Sequence, residues 1–200
     1  MKALCELAAE AEMPGRVSNV RPGLIVGPMD RSDRFTYWPW RIDQGGEVLC
    51  PGAPEGHTQF VDVRDLAAWM LHCIEQDTTG VYNAVGFSGR TGLSEVLAAC
   101  KCATSADAQL TWVDEAFLRE HKVAAYSELP LWIPEAGRRM VQNQKAVSQG
   151  LRFRPIADTI RDTLAWAKAE RGAKPLRAGL KAERERELLG QWKQLQRGGK

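Results

Sequence analysis

Several groups of residues in this chain could do chemistry, and their spacing limits what that chemistry is. Cys100-Lys101-Cys102 brings two thiols together, but a one-residue gap with no second pair and no nearby histidine is not a zinc spacing. The apolar run around the pair points to a buried or half-buried structural role. Three scattered histidines do not make a metal site, and the sequence has no Gly-x-Ser-x-Gly elbow, no His-Glu-x-x-His helix and no Walker loop. Asp62 and Asp65 stand where an extended run passes into an apolar helix, and there a carboxylate serves as strand end and helix cap. Arg21-Pro22-Gly23 follows a short predicted strand over residues 17–20. Proline ends the ladder of a strand, and glycine lets the backbone approach a ligand closely.

The elements that must position these groups alternate along the chain. Residues 2–12 place Ala3, Leu4, Leu7, Ala8 and Ala11 at helical spacing, and Met13-Pro14-Gly15 stops the run. Asp33 is expected to cap a helix carrying Phe35, Trp38 and Ile42. A strand is predicted over residues 47–50, a loop over 51–56 and an extended run over 57–63, after which Asp65 begins a helix through Leu66, Trp69, Met70 and Ile74. Residues 81–85 read as a buried strand, followed by the turn Gly86-Phe87-Ser88-Gly89 and a helix over Leu93, Val96, Leu97 and Cys100. A strand at 110–113 and a helix capped by Asp114 come next. An amphipathic helix with Ile156, Ile160, Leu164 and Ala167 on one face follows. Beyond Gly172 a Lys/Arg/Glu helix carries Leu188, Leu189, Trp192 and Leu195 as a thin apolar stripe.

Such alternation predicts an α/β fold on a parallel sheet, with residues 1–170 as its body and 171–200 as a basic helical tail. Ligands of such sheets lie at the carboxyl ends of the strands, so the turns after Val20 and Val63 are the candidate ligand edges.

Composition narrows the partners. The chain is 44% hydrophobic with a net charge of +2. Residues 151–200 hold 13 Lys and Arg against 6 Asp and Glu, leaving the first 150 residues at −5. Acids and bases alternate through residues 181–187, the pattern of a solvated helix rather than of a nucleic-acid or membrane patch. The seven tryptophans sit among apolar residues, as core and lobe packing does, so neither nucleic acid nor membrane is an expected partner. Five cysteines without a secretory leader lead to the expectation of free thiols in the cytoplasm.

Arg21-Pro22-Gly23-Leu24-Ile25-Val26-Gly27-Pro28, followed in order by Phe60-Val61-Asp62-Val63-Arg64-Asp65-Leu66-Ala67, resembles the extended short-chain dehydrogenase/reductase family of NAD(P)-dependent epimerases and dehydratases. The likeness runs from Lys2 to about Trp166 and includes the closing pattern Gly150-Leu151-Arg152-Phe153-Arg154-Pro155. It implies the C-terminal part of a Rossmann-type doubly wound parallel sheet, with a small substrate-binding lobe and a C-terminal helix.

The resemblance also implies roles. Lys2 matches the lysine of the family's Tyr-x-x-x-Lys element, which bonds the nicotinamide ribose and draws a tyrosine of pKa about 10 toward neutrality. A disordered terminal lysine is the alternative. Pro22 and Gly23 match the turn bordering the nicotinamide amide. Arg34, Trp38, His57 and Gln59 fall where the family builds its substrate wall, and Arg34 and His57 could grip a phosphate or carboxylate there; a surface arginine and a solvated loop histidine are the alternatives.

The tyrosine would lie three residues before Met1, and the family's glycine-rich phosphate loop further upstream. The implied cofactor is NAD or NADP and the implied partner a small-molecule substrate. The chain by itself is expected to hold the dinucleotide weakly and not to turn over. Exposed faces of a half-sheet lead to the expectation of self-association, and a non-catalytic binding or dimerising module is the alternative function.

Overall fold

In the computed structural model the described residues are 1–87, 89, 91–137, 140–171 and 174–198. The strands are β1 (Ser18–Pro22), β2 (Leu24–Val26), β3 (Gly46–Pro51), β4 (His57–Thr58), β5 (Phe60–Asp62), β6 (Gly80–Ala84), β7 (Thr91–Gly92) and β8 (Ala108–Val113). The helices are α1 (Lys2–Glu12), α2 (Tyr37–Asp43), α3 (Val63–Glu75), α4 (Leu93–Cys102), α5 (Glu115–Glu120), α6 (Gln144–Ser148), α7 (Ile156–Trp166) and α8 (Ala182–Gly198). They divide into two interleaved units: Met1–Val26, Gln59–Gly89 and Met140–Arg154 form the first, and Gly27–Thr58, Arg90–Arg139 and Pro155–Lys200 the second. Ser88 of the predicted glycine-rich turn, and Gly172 ahead of the tail helix, lie outside the described residues.

In the first unit β1 pairs in parallel with β6, and β2 in parallel with β5. Only Gly23 separates β1 from β2, and the chain changes partner there. The Gly23 amide donates to Ala84 O at 3.3 Å, and the next residue, Leu24, already stands opposite Phe60. A Cβ at Gly23 would lie 2.6 Å from Val85 Cγ2, so the crossing requires a residue without a side chain. Beyond it, the Gly86 amide donates to Phe60 O at 2.9 Å and joins the end of β6 to β5.

Strand β5 passes straight into α3 because the Asp62 carboxylate accepts the Arg64 amide at 2.8 Å, the bond of a helix N-cap. The helix therefore starts two residues before Asp65, which sits in its first turn. Its inner face buries Leu66, Trp69 and Cys73 with Val61, Tyr82 and Ala84. Trp69 meets the Tyr82 ring edge-on at 5.6 Å, and its indole N–H donates to Gln149 O at 2.9 Å.

In the second unit β3 and β8 form a parallel ladder of six residue pairs, and β4 pairs antiparallel with β7. Helices α2, α4 and α7 pack on one another around Trp38, Ile42, Val96, Leu97, Cys100 and Ile160, all fully buried. Asp33 is not the cap of α2. It adopts φ of 60° and accepts the Arg177 amide and the Arg171 guanidinium, while Asp30 takes the amides of Phe35 and Thr36 just ahead of α2. Helix α8 buries Leu188, Leu189 and Trp192 but leaves Leu195 57% exposed. Its Glu185 is also buried, accepting the Leu49 amide at 3.0 Å and Arg41 Nε at 2.6 Å.

Candidate functional site

The carboxyl ends of the first unit's strands are pinned by side chains. Asn143, buried between the segments it joins, donates from Nδ2 to Val85 O at 2.7 Å and to Phe87 O at 2.8 Å, which fixes the turn after β6. A Cβ at Gly86 would stand 2.5 Å from Phe60 O and 3.2 Å from the Phe153 ring. Asp62 holds Arg64 at 2.8 Å, and Arg154 spans Asp62 at 3.7 Å and Asp65 at 2.7 Å. Both aspartates are engaged by cations and amides, but only Asp62 is the predicted helix cap; Asp65, in the first turn, accepts the Arg154 amide and guanidinium instead.

Lys2, Pro22, Gly23 and Gln59 belong to this unit. Lys2 is exposed as the first residue of α1, and Pro22 is exposed at the end of β1. Gln59 spends its amide on one backbone group pair, donating to Val141 O at 3.1 Å and accepting the Val141 amide at 2.8 Å. Neither Asn143 nor Val141 stands out in the sequence, because both act through partners more than fifty residues away.

Arg34, Trp38 and His57 fall in the second unit. The exposed Arg34 guanidinium lies over the Tyr126 ring at 5.2 Å. Burial raises the Tyr126 hydroxyl pKa, against the opposing pull of the Arg34 charge. Trp38 is fully buried and donates its indole N–H to Pro130 O at 2.7 Å. His57 is partly buried in β4 opposite Gly92 and lines a small crevice with Pro51, Ala53, Leu93, Leu131 and Trp132.

At the head of α4 the Leu93 amide donates to Gly56 O at 2.7 Å and the Ser94 amide to Pro54 O at 3.1 Å, so two of its first-turn donors are already bonded.

Cys50, Cys73 and Cys100 are buried, and desolvation raises the pKa of each thiol; Cys102 is exposed. Among the described residues no group of three or more His, Cys, Asp and Glu could hold a metal ion, and no helix is long and apolar enough to cross a membrane.

No protein-family model matches the sequence, and no curated protein matches it. Solved structures do. RMD from Pseudomonas aeruginosa, complexed with NADPH, aligns over 84% of this chain and 53% of its own, with a TM-score of 0.59 and 15% identity. UDP-glucuronic acid 4-epimerase from Bacillus cereus, in complex with UDP-glucuronic acid and NAD, aligns over 84% of this chain and 49% of its own, with a TM-score of 0.57 and 13% identity. UDP-glucose 4-epimerase from Thermus thermophilus, in complex with NAD, aligns over 82% and 51%, with a TM-score of 0.54 and 19% identity. The chain has the fold of these enzymes. It spans about half the length of the epimerase-type structures it matches. The hallmark stretches at residues 21–28 and 60–67 pointed to the same NAD(P)-bound class, and the parallel strand pairs with their helices are the partial Rossmann-type architecture they implied.

Proposed function

We propose that this chain supplies the cofactor edge and the substrate lobe of an NAD(P)-dependent epimerase, dehydratase or reductase acting on a carbonyl or hydroxyl substrate. By itself it does not turn over. The observation that carries this reading is a fold shared with nicotinamide-bound enzymes over more than four-fifths of this chain but about half of theirs. One feature supports weak cofactor binding by these 200 residues: they contain no Tyr-x-x-x-Lys element.

In this reading Lys2 is the ammonium that bonds the nicotinamide ribose and lowers the pKa of a catalytic tyrosine. Pro22 and Gly23 present backbone to the nicotinamide amide. Arg34 and His57 contact the small-molecule substrate, for which a nucleotide sugar is the leading class; the buried Trp38 stiffens the segment that carries Arg34, and Gln59, its amide held by Val141, steadies the chain ahead of β5. The five thiols suit a reducing cytoplasm. The test is to incubate the purified chain with NAD⁺ and UDP-glucose and resolve the products by chromatography. No conversion is expected. Conversion that is lost on Lys2→Ala would overturn the claim that the chain is inactive alone.

A second reading, a non-catalytic binding or dimerising module derived from this fold, is favoured by one specific observation. Leu4 and Leu7 of α1 are each 67% exposed, and no residue of that helix is buried.

A further inference from the structure

Within the second unit, Arg34 owes its place to residues from far along the chain. Its own loop is braced by Asp30, whose carboxylate accepts the amides of Ser32 at 3.0 Å, Phe35 at 3.0 Å and Thr36 at 3.3 Å and so folds residues 30–36 into a tight bend. Arg34 stands exposed on that bend, its guanidinium 5.2 Å from the centre of the Tyr126 ring. It makes no ion pair among the described residues, so its charge is open to a ligand.

The bend is also fastened from behind. Asp33, only 3% exposed, takes φ of 60°, a conformation uncommon for a residue with a side chain. The segment ahead of α8 holds it there. The Arg177 amide donates to one Asp33 carboxylate oxygen at 2.8 Å, and the Arg171 guanidinium to the other at 2.9 Å. The Arg171 side chain is 11% exposed, so removing either partner of this pair leaves a charge buried alone. Arg177 also donates from Nη1 to Arg31 O at 3.1 Å.

The same segment then reaches the aromatic partner. The Gly179 amide donates to Ser127 O at 2.7 Å, one residue beyond Tyr126, which itself takes φ of 66°. Between these fastenings the backbone lies flat on Tyr37: φ at Gly179 is 107°, and a Cβ there would collide with the ring. Ala178 and Leu180, on either side, are buried. Arg171 and residues 174–180 are thus tied to the loop of the arginine at one end and to the loop of the tyrosine at the other.

We propose that these residues are a positioning strap for the substrate lobe: by gripping Asp33 and Ser127 they set the Arg34 guanidinium over the Tyr126 ring, and Arg171 is a positioning residue for the contact Arg34 makes with an anionic group of the substrate. A guanidinium already held over an aromatic ring loses less freedom when it grips a phosphate. The functional half of this inference rests on the reading of Arg34 as a substrate contact.

Solution NMR of the 200-residue chain tests it through the Arg34 δ-methylene protons, whose signals the Tyr126 ring displaces as long as the side chain lies over it. Tyr126→Leu gives the undisplaced position. Arg171→Gln and Asp33→Asn each break the buried pair, and asparagine tolerates positive φ, so the second variant serves if the first does not fold; thermal melts by circular dichroism check both. In each folded variant the Arg34 signals are expected to move most of the way to their Tyr126→Leu position, and Arg171→Lys should recover part of the displacement. Calorimetric titration with inorganic pyrophosphate should show binding that Arg34→Gln abolishes and Arg171→Gln weakens by about tenfold. Arg34 signals undisplaced in the wild-type chain, or displaced as far in the folded variants as in wild type, would overturn the strap. Pyrophosphate binding lost in Arg34→Gln but undiminished in Arg171→Gln would overturn the positioning role of Arg171. Signals that shift as expected in a chain that ignores pyrophosphate would leave the strap standing and overturn the substrate contact at Arg34.

Discussion

Two glycines set how closely the first unit's strands approach, and their neighbours differ in how far they can yield. At Gly23 an added methyl meets the Val85 side chain at 2.6 Å; at Gly86 it meets the backbone oxygen of Phe60 at 2.5 Å. A side chain can shift and a paired carbonyl cannot. Gly23→Ala should therefore cost about 2 kcal/mol and Gly86→Ala about 3 kcal/mol, read by urea unfolding. Adding Val85→Ala should rescue the first and not the second. Equal losses, or no rescue, would contradict the steric account. Asn143 is a second residue of this kind, since Asn143→Leu would strand two carbonyls and is expected to cost about 1–3 kcal/mol. At this scale the sequence was partly legible. Pro22-Gly23 announced a turn where backbone approaches closely, but the close neighbour of Gly23, Val85, is remote in sequence. In the sequence Trp38 reads both as packing, with the other tryptophans, and as substrate wall; its full burial decides for packing, and its partner Pro130, 92 residues on, was not visible in the sequence.

Among the elements, the attachment of α8 to β3 carries the clearest consequence. Glu185 satisfies a strand amide and an arginine at once inside the second unit, where Arg41 also donates to Gly45 O and Glu47 O. Glu185→Ala leaves the guanidinium and the Leu49 amide without that acceptor, and a loss of about 2–4 kcal/mol is expected, measured by chemical unfolding. Nearby, Glu47 is desolvated, which raises its pKa, but Lys193 and the Thr111 hydroxyl outweigh this and hold it below the ordinary 4.5. Its folded pKa is depressed, so its contribution is present above the ordinary value and lost as pH falls through the folded one. Stability should decline on acidification below about pH 4.5 by under about 1 kcal/mol from this group, and Glu47→Gln should flatten that part of the profile. An unchanged profile would remove the Lys193 contact from the account. The helices were the most legible elements: α1 spans the residues its apolar spacing predicts, and α3 differs in starting at Val63, after its true cap Asp62, rather than at Asp65. The short α6 carries too few residues for a periodicity to declare itself. The apolar stripe of α8 was visible, whereas the burial of Glu185 within a charged run was not, because its strand partner is 136 residues away.

For the molecule as a whole, alternating periodicities identified an α/β fold, and two hallmark stretches identified the class of nicotinamide-bound enzymes that share it. Interleaving was not legible, since no local signal says that residues 59–89 and 140–154 return to the unit that residues 1–26 began. That this chain carries a cofactor edge without the phosphate grip is our proposal, and a titration of the folded 200-residue chain with NAD⁺ and with NADPH by calorimetry tests it most directly. The account predicts a cooperative thermal melt together with no binding tighter than about millimolar, or about 4 kcal/mol. Micromolar binding of either dinucleotide by the same chain would contradict it.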